Sequence, residues 1–356
     1  MKLAIVGWRP WSVVRRYKSL IVNAKKLGHQ VVGIALEHYG DRPKTASLFR
    51  DLGVPVGSLN QFRPDAVFGE CFWNAEENAA RVWARGARKK YFVLDHGKWN
   101  APVDLYNHGN MKPPNVMLTV NEKNADYLCK EFRIQAIPVG VPNFDVEYEV
   151  DIDKVRIDLG VTNQPMVALF LEVVYQGIRL EYERERLFSF LALAQRKNWK
   201  VFMHIDPDEQ GRKTRFLDRG HPRRAFLREL QGRGGIFVSC FPGDYNDVIF
   251  KPCGPMALMR SADLVCGTYH KMFEAYVATK KYFWMREGEE GEGHISLNRH
   301  PNLVKVDPDY GNIVKAIEEN TASFEQHPAY VKRWFYKLDG KCWMRILAVA
   351  EASRRR

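Results

Sequence analysis

KLAIVGWRPWSVVRRYKSLIVNAKKLGHQVVGIAL, residues 2–36, sets the reading of the whole chain. Residues 2–6 are a short apolar strand. The apolar positions of residues 13–27 recur at helical spacing, and Gly28 closes that helix because glycine takes the left-handed cap without a Cβ penalty. Residues 29–36 form a second strand. Strand, helix and strand in this order make a βαβ unit, which predicts a parallel sheet covered on both faces.

The alternation continues outward from this unit. Helices are expected at 46–52 (ended by Gly53), 75–84 and 124–132, and strands at 65–69, 91–94, 116–120 and 135–139. After Val141, Pro142 and Asn143, the acidic and core-poor residues 147–153 read as a crossover. The pattern then restarts with strands at 166–174, 200–205, 236–241, 264–266 and 282–285, and helices at 182–196, 225–232, 256–261 and 272–279. The tail, 329–352, reads as helical and aromatic. The expected fold is α/β: two facing, doubly wound, Rossmann-like domains at 1–145 and 146–328, with 329–356 packing back on the first. A chain of 356 residues suits two domains of about 100–200 residues each.

Composition narrows the function. Trp8, Arg9 and Pro10 follow the first strand at once, so no signal-peptide core is read, and no apolar run approaches the roughly 20 residues of a membrane span. A cytoplasmic protein is expected. The six cysteines are scattered without close pairs, which suggests buried thiols rather than zinc or disulfides. The first strand is not followed by a glycine-rich dinucleotide fingerprint, and no Walker-type loop occurs, so nicotinamide redox chemistry and ATP hydrolysis have little support. The net charge of +12 implies a polyanionic partner, nucleic acid ahead of an anionic membrane. A basic stretch at 212–233, interleaved with Phe216 and Phe226, fits that partner, although many such runs are only solvated surface.

In open parallel sheets ligands lie beyond the carboxyl ends of the strands, so the residues just after each strand are the candidates. Asp95 and His96, followed by Lys98 and Trp99, stand where a base for an acceptor hydroxyl is needed; a turn cap and a satisfied polar residue are the plainer readings. Arg9 and Trp11 are candidates for the acceptor side. Arg179 and Arg184, at the start of a helix, suit a diphosphate, though interleaved glutamates make a salt-bridged helix about as good a reading. Thr268, His270 and Lys271 can meet phosphate. Glu274 can accept two ribose hydroxyls, or can be a buried acid paired with a base. Asp206, Asp208 and Glu209 read as a solvated acidic turn rather than a metal site, and metal dependence stays open.

With Asp95 closing the strand Tyr91–Leu94 and Glu274 one turn into its helix, the layout resembles GT-B glycosyltransferases, and the length and basic character resemble the DNA glucosyltransferases of bacteriophages. That resemblance implies a catalytic aspartate at Asp95, a diphosphate-holding arginine at Arg179 or Arg184, and a ribose-binding glutamate at Glu274. A rival resemblance is to the branch with the UDP-N-acetylglucosamine 2-epimerases and CDP-glycerol glycerophosphotransferases. It rests on Val139–Asp145 and on His96 with Gly97; the Ser-Gly-Gly or Ser-Ser of that branch is replaced here by Tyr269 and His270. The leading expectation is transfer of a sugar from a UDP-glucose type donor, with no tightly bound cofactor, to a hydroxymethylpyrimidine in DNA. The alternatives are transfer or 2-epimerisation on a cell-envelope precursor and a non-catalytic DNA- or sugar-nucleotide-binding protein.

Overall fold

The computed structural model describes residues 1–8, 10–37, 42–69, 75–94, 115–145, 150–171, 179–205, 222–239, 243–245, 248–268, 271–285 and 300–354. The chain divides into two compact units, Met1–Tyr148 with His327–Arg356, and Glu149–Gln326.

The sheet of unit 1 contains β1 (Lys2–Gly7), β2 (Gln30–Ala35), β3 (Ala66–Gly69), β4 (Lys90–Leu94), β5 (Val116–Thr119) and β6 (Ala136–Pro138). All pairings are parallel, in the order β2-β1-β3-β4-β5-β6. A single parallel bridge between Gly33 and Val56 adds the trace of a further strand beside β2. Side chains alternate along each strand, and each face has its own core. Leu3, Ile5, Phe68, Phe92 and Leu94 pack on the helix Pro10–Lys26. Ala4, Val6, Val67, Tyr91 and Val93 meet the helices Ala75–Gly86 and Glu122–Phe132 on the other side. Each large apolar side chain buried in this way contributes about 1.5–3 kcal/mol, which is why the pattern is legible in sequence. Phe49 seats against β2 because Gly33 has no side chain: a Cβ there would lie 2.3 Å from the Phe49 ring.

Unit 2 contains β7 (Met166–Leu171), β8 (Lys200–Ile205), β9 (Gly235–Ser239), β10 (Gly243–Tyr245), β11 (Val248–Pro252), β12 (Leu264–Gly267), β13 (Tyr282–Trp284) and β14 (Leu303–Lys305). Their order is β10-β11-β9-β8-β7-β12-β13-β14, parallel except for the antiparallel pair β10–β11. The sheet is thus doubly wound around β7. Among the described residues no helix is long and apolar enough to cross a membrane.

Three local expectations change. Part of the stretch read as an acidic crossover is the first turn of a helix, Ile152–Leu159, whose N-cap Asp151 accepts the Lys154 N–H at 3.0 Å and whose end is Gly160. Only Leu159 of that helix is buried, so it lacks an apolar stripe. The tail is two helices, Pro328–Phe335 and Cys342–Arg354, separated where Tyr336 takes a φ of 64°. Phe226, read as facing a partner, is buried in the core of unit 2.

The second tail helix belongs to unit 1, where Cys342, Ile346, Leu347 and Ala350 join the core cluster of β1 and the helix Pro10–Lys26. Its start is fixed by Asp145, whose carboxylate accepts the N–H groups of Cys342 (2.9 Å) and Trp343 (2.7 Å). Arg345 secures the same junction, donating to the Val139 carbonyl at 2.7 Å and to both oxygens of Asp339 at 2.9 Å.

Candidate functional site

A crevice opens in a doubly wound sheet where two neighbouring strands send their connections to opposite sides. In unit 2 that place is between β7 and β12, and in unit 1 between β1 and β3.

At the end of β12, Gly267 lets the strand close tightly on β7; a Cβ there would lie 2.2 Å from the Phe170 carbonyl oxygen. The next residue, Thr268, donates its N–H to that same carbonyl at 2.9 Å and is 2% exposed. Lys271 then caps the helix Met272–Val277, and its Nζ donates to Glu274 Oε1 at 2.9 Å. Both side chains are buried. The helix is held from behind by Asn302, whose amide nitrogen donates to the Met272 carbonyl at 2.8 Å, and by His300, edge-on to Phe273 with centroids 4.5 Å apart. On the other flank of β7, His204 near the end of β8 packs its ring 5.4 Å from that of Phe170. The end of β12 therefore gathers a hydroxyl, an ammonium and a carboxylate, all buried and the latter two bonded to each other, of the kinds that bond phosphate oxygens and sugar hydroxyls.

The corresponding place in unit 1 is also polar below its surface. Glu77, 1% exposed, accepts the Tyr91 hydroxyl at 2.8 Å, and the Tyr17 hydroxyl donates to the carbonyl of Gly69 at the end of β3. Glu77 lies in a stretch, residues 75–84, whose sequence reads only as helix, and no motif marks His204, His300 or Asn302. A polar residue inside an apolar strand, as with His204, was the available signal.

Of the residues expected at the site, Thr268, Lys271 and Glu274 come together at the end of β12. Arg184 is engaged elsewhere, donating to Glu229 at 2.5 Å with its guanidinium 5.3 Å from the Phe188 ring, as a salt-bridged helix face would have it. Asp95, His96, Lys98, Trp99, Arg9 and His270 lie outside the described residues, as do Asp206, Asp208 and Glu209. Trp11 and Arg179 fall in the first turns of the helices Pro10–Lys26 and Arg179–Arg196, with side chains outside the description. Among the described residues no three His, Cys, Asp or Glu side chains gather to hold a metal ion.

No family model matches the sequence, and no curated protein matches it. Solved structures do. The UDP-GlcNAc 2-epimerase of Methanocaldococcus jannaschii superposes with a TM-score of 0.62 at 14% identity, over 99% of this chain and 100% of that one. The chain has a GT-B-like fold. The same fold relates it to UDP-GlcNAc 2-epimerase from Neisseria meningitidis bound to UDP-GlcNAc (TM-score 0.59, 13% identity, 99% and 100% covered). A glycosyltransferase from Rickettsia africae is a further match (TM-score 0.53, 11% identity, 99% and 98% covered). The likeness to the epimerase branch is thus supported in fold, while that to bacteriophage DNA glucosyltransferases is not. Charge is divided unevenly over this GT-B-like frame. Unit 1 has 29 Lys and Arg against 16 Asp and Glu, a net +13, whereas unit 2 has 25 against 26, a net −1.

Proposed function

We propose that the chain is an enzyme acting on a UDP-sugar, with the nucleotide held at the β7–β12 crevice of unit 2 and the sugar of N-acetylglucosamine type. The reading is carried by one observation: Thr268, Lys271 and Glu274 stand buried together at the end of β12, where a doubly wound sheet takes its ligand. It draws further support from the fold shared with proteins described as UDP-GlcNAc 2-epimerases, one of them in complex with UDP-GlcNAc and UDP.

In this reading Glu274 accepts ribose hydroxyls, Lys271 holds that carboxylate in place, and Thr268, His270 and Arg179 meet the diphosphate. Inverting a carbon centre requires a C–H bond to be broken on one face and remade on the other, so a base and an acid must flank the sugar. Asp95 and His96, which follow β4, are assigned these proton transfers. Lys98, Trp99, Arg9 and Trp11 are assigned to binding an acceptor, should one be used.

A second reading, transfer of the sugar to a hydroxyl of a polyanion such as hydroxymethylpyrimidine DNA or an envelope polymer, is favoured by the net +13 of unit 1. One experiment separates the two. The protein is incubated with UDP-GlcNAc or UDP-glucose, with and without hydroxymethylated DNA, and products are followed by NMR and nucleoside mass spectrometry. A C2-epimer formed without acceptor supports the first reading; a hexose-sized gain on DNA establishes the second. An unchanged donor in every mixture overturns the epimerase reading and transfer to DNA.

A further inference from the structure

The positive charge of unit 1 has a location. In a parallel α/β sheet the helices end where the strands begin, so the carboxyl ends of the helices of unit 1 share one pole with the amino ends of β1 to β6, opposite the strand ends at which ligands lie. Three of these helices terminate on an arginine with positive φ: Arg63 (49°) before β3, Arg88 (55°) before β4 and Arg133 (53°) before β6. A left-handed backbone costs a residue with a side chain about 1–2 kcal/mol, which is why glycine or asparagine usually stands there.

Unit 2 supplies an internal control. Where its helices end on a positive φ, the residue is Gly160, Asn198, Gly234, Asn320 or Thr279, none of them basic, and the helix Pro255–Ser261 ends on Ala262 in extended backbone. Attraction between a helix end and a cation is the same in both units, so the helix dipole does not account for the difference. Nor does pairing. The side chains of Arg63, Arg88 and Arg133 are exposed and make no hydrogen bond or ion pair among the described residues. On unit 2, by contrast, Lys154, Arg156, Arg184 and Lys197 each meet a carboxylate.

The row extends to both sides. Lys25 ties the end of one helix to the carbonyls of Leu52 and Gly53, and Leu27, just past Lys26, stands 61% exposed. Arg354 and Lys89 gather around Asp65. With strands about 4.8 Å apart, the pole spans roughly 24 Å from β2 to β6.

We propose that this pole is a docking face for an anionic lipid surface, which holds the enzyme by unit 1 and leaves the strand ends of that unit open. Three unpaired arginines, spread along the pole and flanked by further cations, match a surface of lipid phosphates, and an exposed leucine beside two lysines suits the interfacial layer of a bilayer better than a nucleic-acid backbone. The inference does not depend on which reaction the site performs.

The test is co-sedimentation of the full chain with phosphatidylcholine vesicles, with and without phosphatidylglycerol, over a range of salt. Two triple variants are compared with the parent: Arg63→Asn, Arg88→Asn and Arg133→Asn, and, as a control of equal charge, Arg196→Asn, Lys305→Asn and Lys315→Asn on unit 2. Asparagine accepts positive φ, so the first variant should melt at or above the parental temperature while its affinity for anionic vesicles falls about 100-fold. The control should bind like the parent, and neutral vesicles should not bind. Absence of binding to anionic vesicles overturns the proposal, as does equal weakening by both variants. Tighter binding to duplex DNA, with the same dependence on the three arginines, assigns the face to nucleic acid and overturns it too.

Discussion

Lys271, just before a six-residue helix, forms an ion pair at 2.9 Å with Glu274 inside it, and both side chains are almost wholly buried. Removing one partner leaves the other charged and desolvated, a loss of about 3–5 kcal/mol. Lys271→Met and Glu274→Leu should therefore each lower the urea midpoint strongly, while the double variant recovers most of the stability. Calorimetry with UDP then separates the roles. A stable double variant that no longer binds UDP marks the pair as ligand-binding, and one that binds UDP normally marks it as scaffold.

Burial pushes the Asp145 carboxyl up to about 6 from an ordinary 3.8, although it accepts two N–H groups at a helix start. An acid whose folded value lies above its unfolded value favours the folded state most at low pH, and that contribution is lost as pH rises through the folded value. Unit 1 should lose stability between about pH 4 and pH 6 on this account. Asp145→Asn keeps one acceptor, costs about 1 kcal/mol in capping, and should flatten the slope. Melting temperatures of both proteins across that range provide the check.

Gly267→Ala should destabilise unit 2 by about 1–3 kcal/mol or more, because the new methyl meets a backbone carbonyl of β7 and the Tyr282 hydroxyl, 2.5 Å away. Denaturant titration reads this directly. A midpoint within error of the parent would mean that β7 and β12 tolerate a wider spacing than the structure shows.

Thr279 ends the helix that carries Glu274 with a φ of 58°, which a β-branched residue adopts only under strain. Thr279→Asn should raise stability by about 1 kcal/mol. A fall instead would show that the Thr279 hydroxyl, donating to Ala278 at 2.7 Å, contributes more than the strain removes.

How far this architecture could be read in advance depended on where apolar residues fall. Strands such as Met166–Leu171, buried at every position, announce themselves without any motif. The helix Ile152–Leu159 did not, since it buries one side chain, although Asp151 and Gly160 mark its two ends in sequence. The break after Phe335 was hidden by the aromatic run around it; Gly340, at a φ of 66°, was the clue. At the candidate site, the position of a polar residue after a strand pointed to Thr268, Lys271 and Glu274. Spacing along a chain cannot report partners distant in sequence, so the capture of Arg184 by Glu229, 45 positions away, was not visible.

The seating of Cys342, Ile346 and Leu347 in the core of unit 1 bears on the order of events during synthesis. Residues 149–326 emerge from the ribosome as one uninterrupted stretch and have all the contacts of their own core by the time Gln326 is out. The earlier-made half must wait, with an open apolar face beside β1, until Cys342–Arg354 arrives. The usual sequence, in which the amino-terminal domain matures first, is thereby reversed, and the core left incomplete longest lies at the end that was translated earliest.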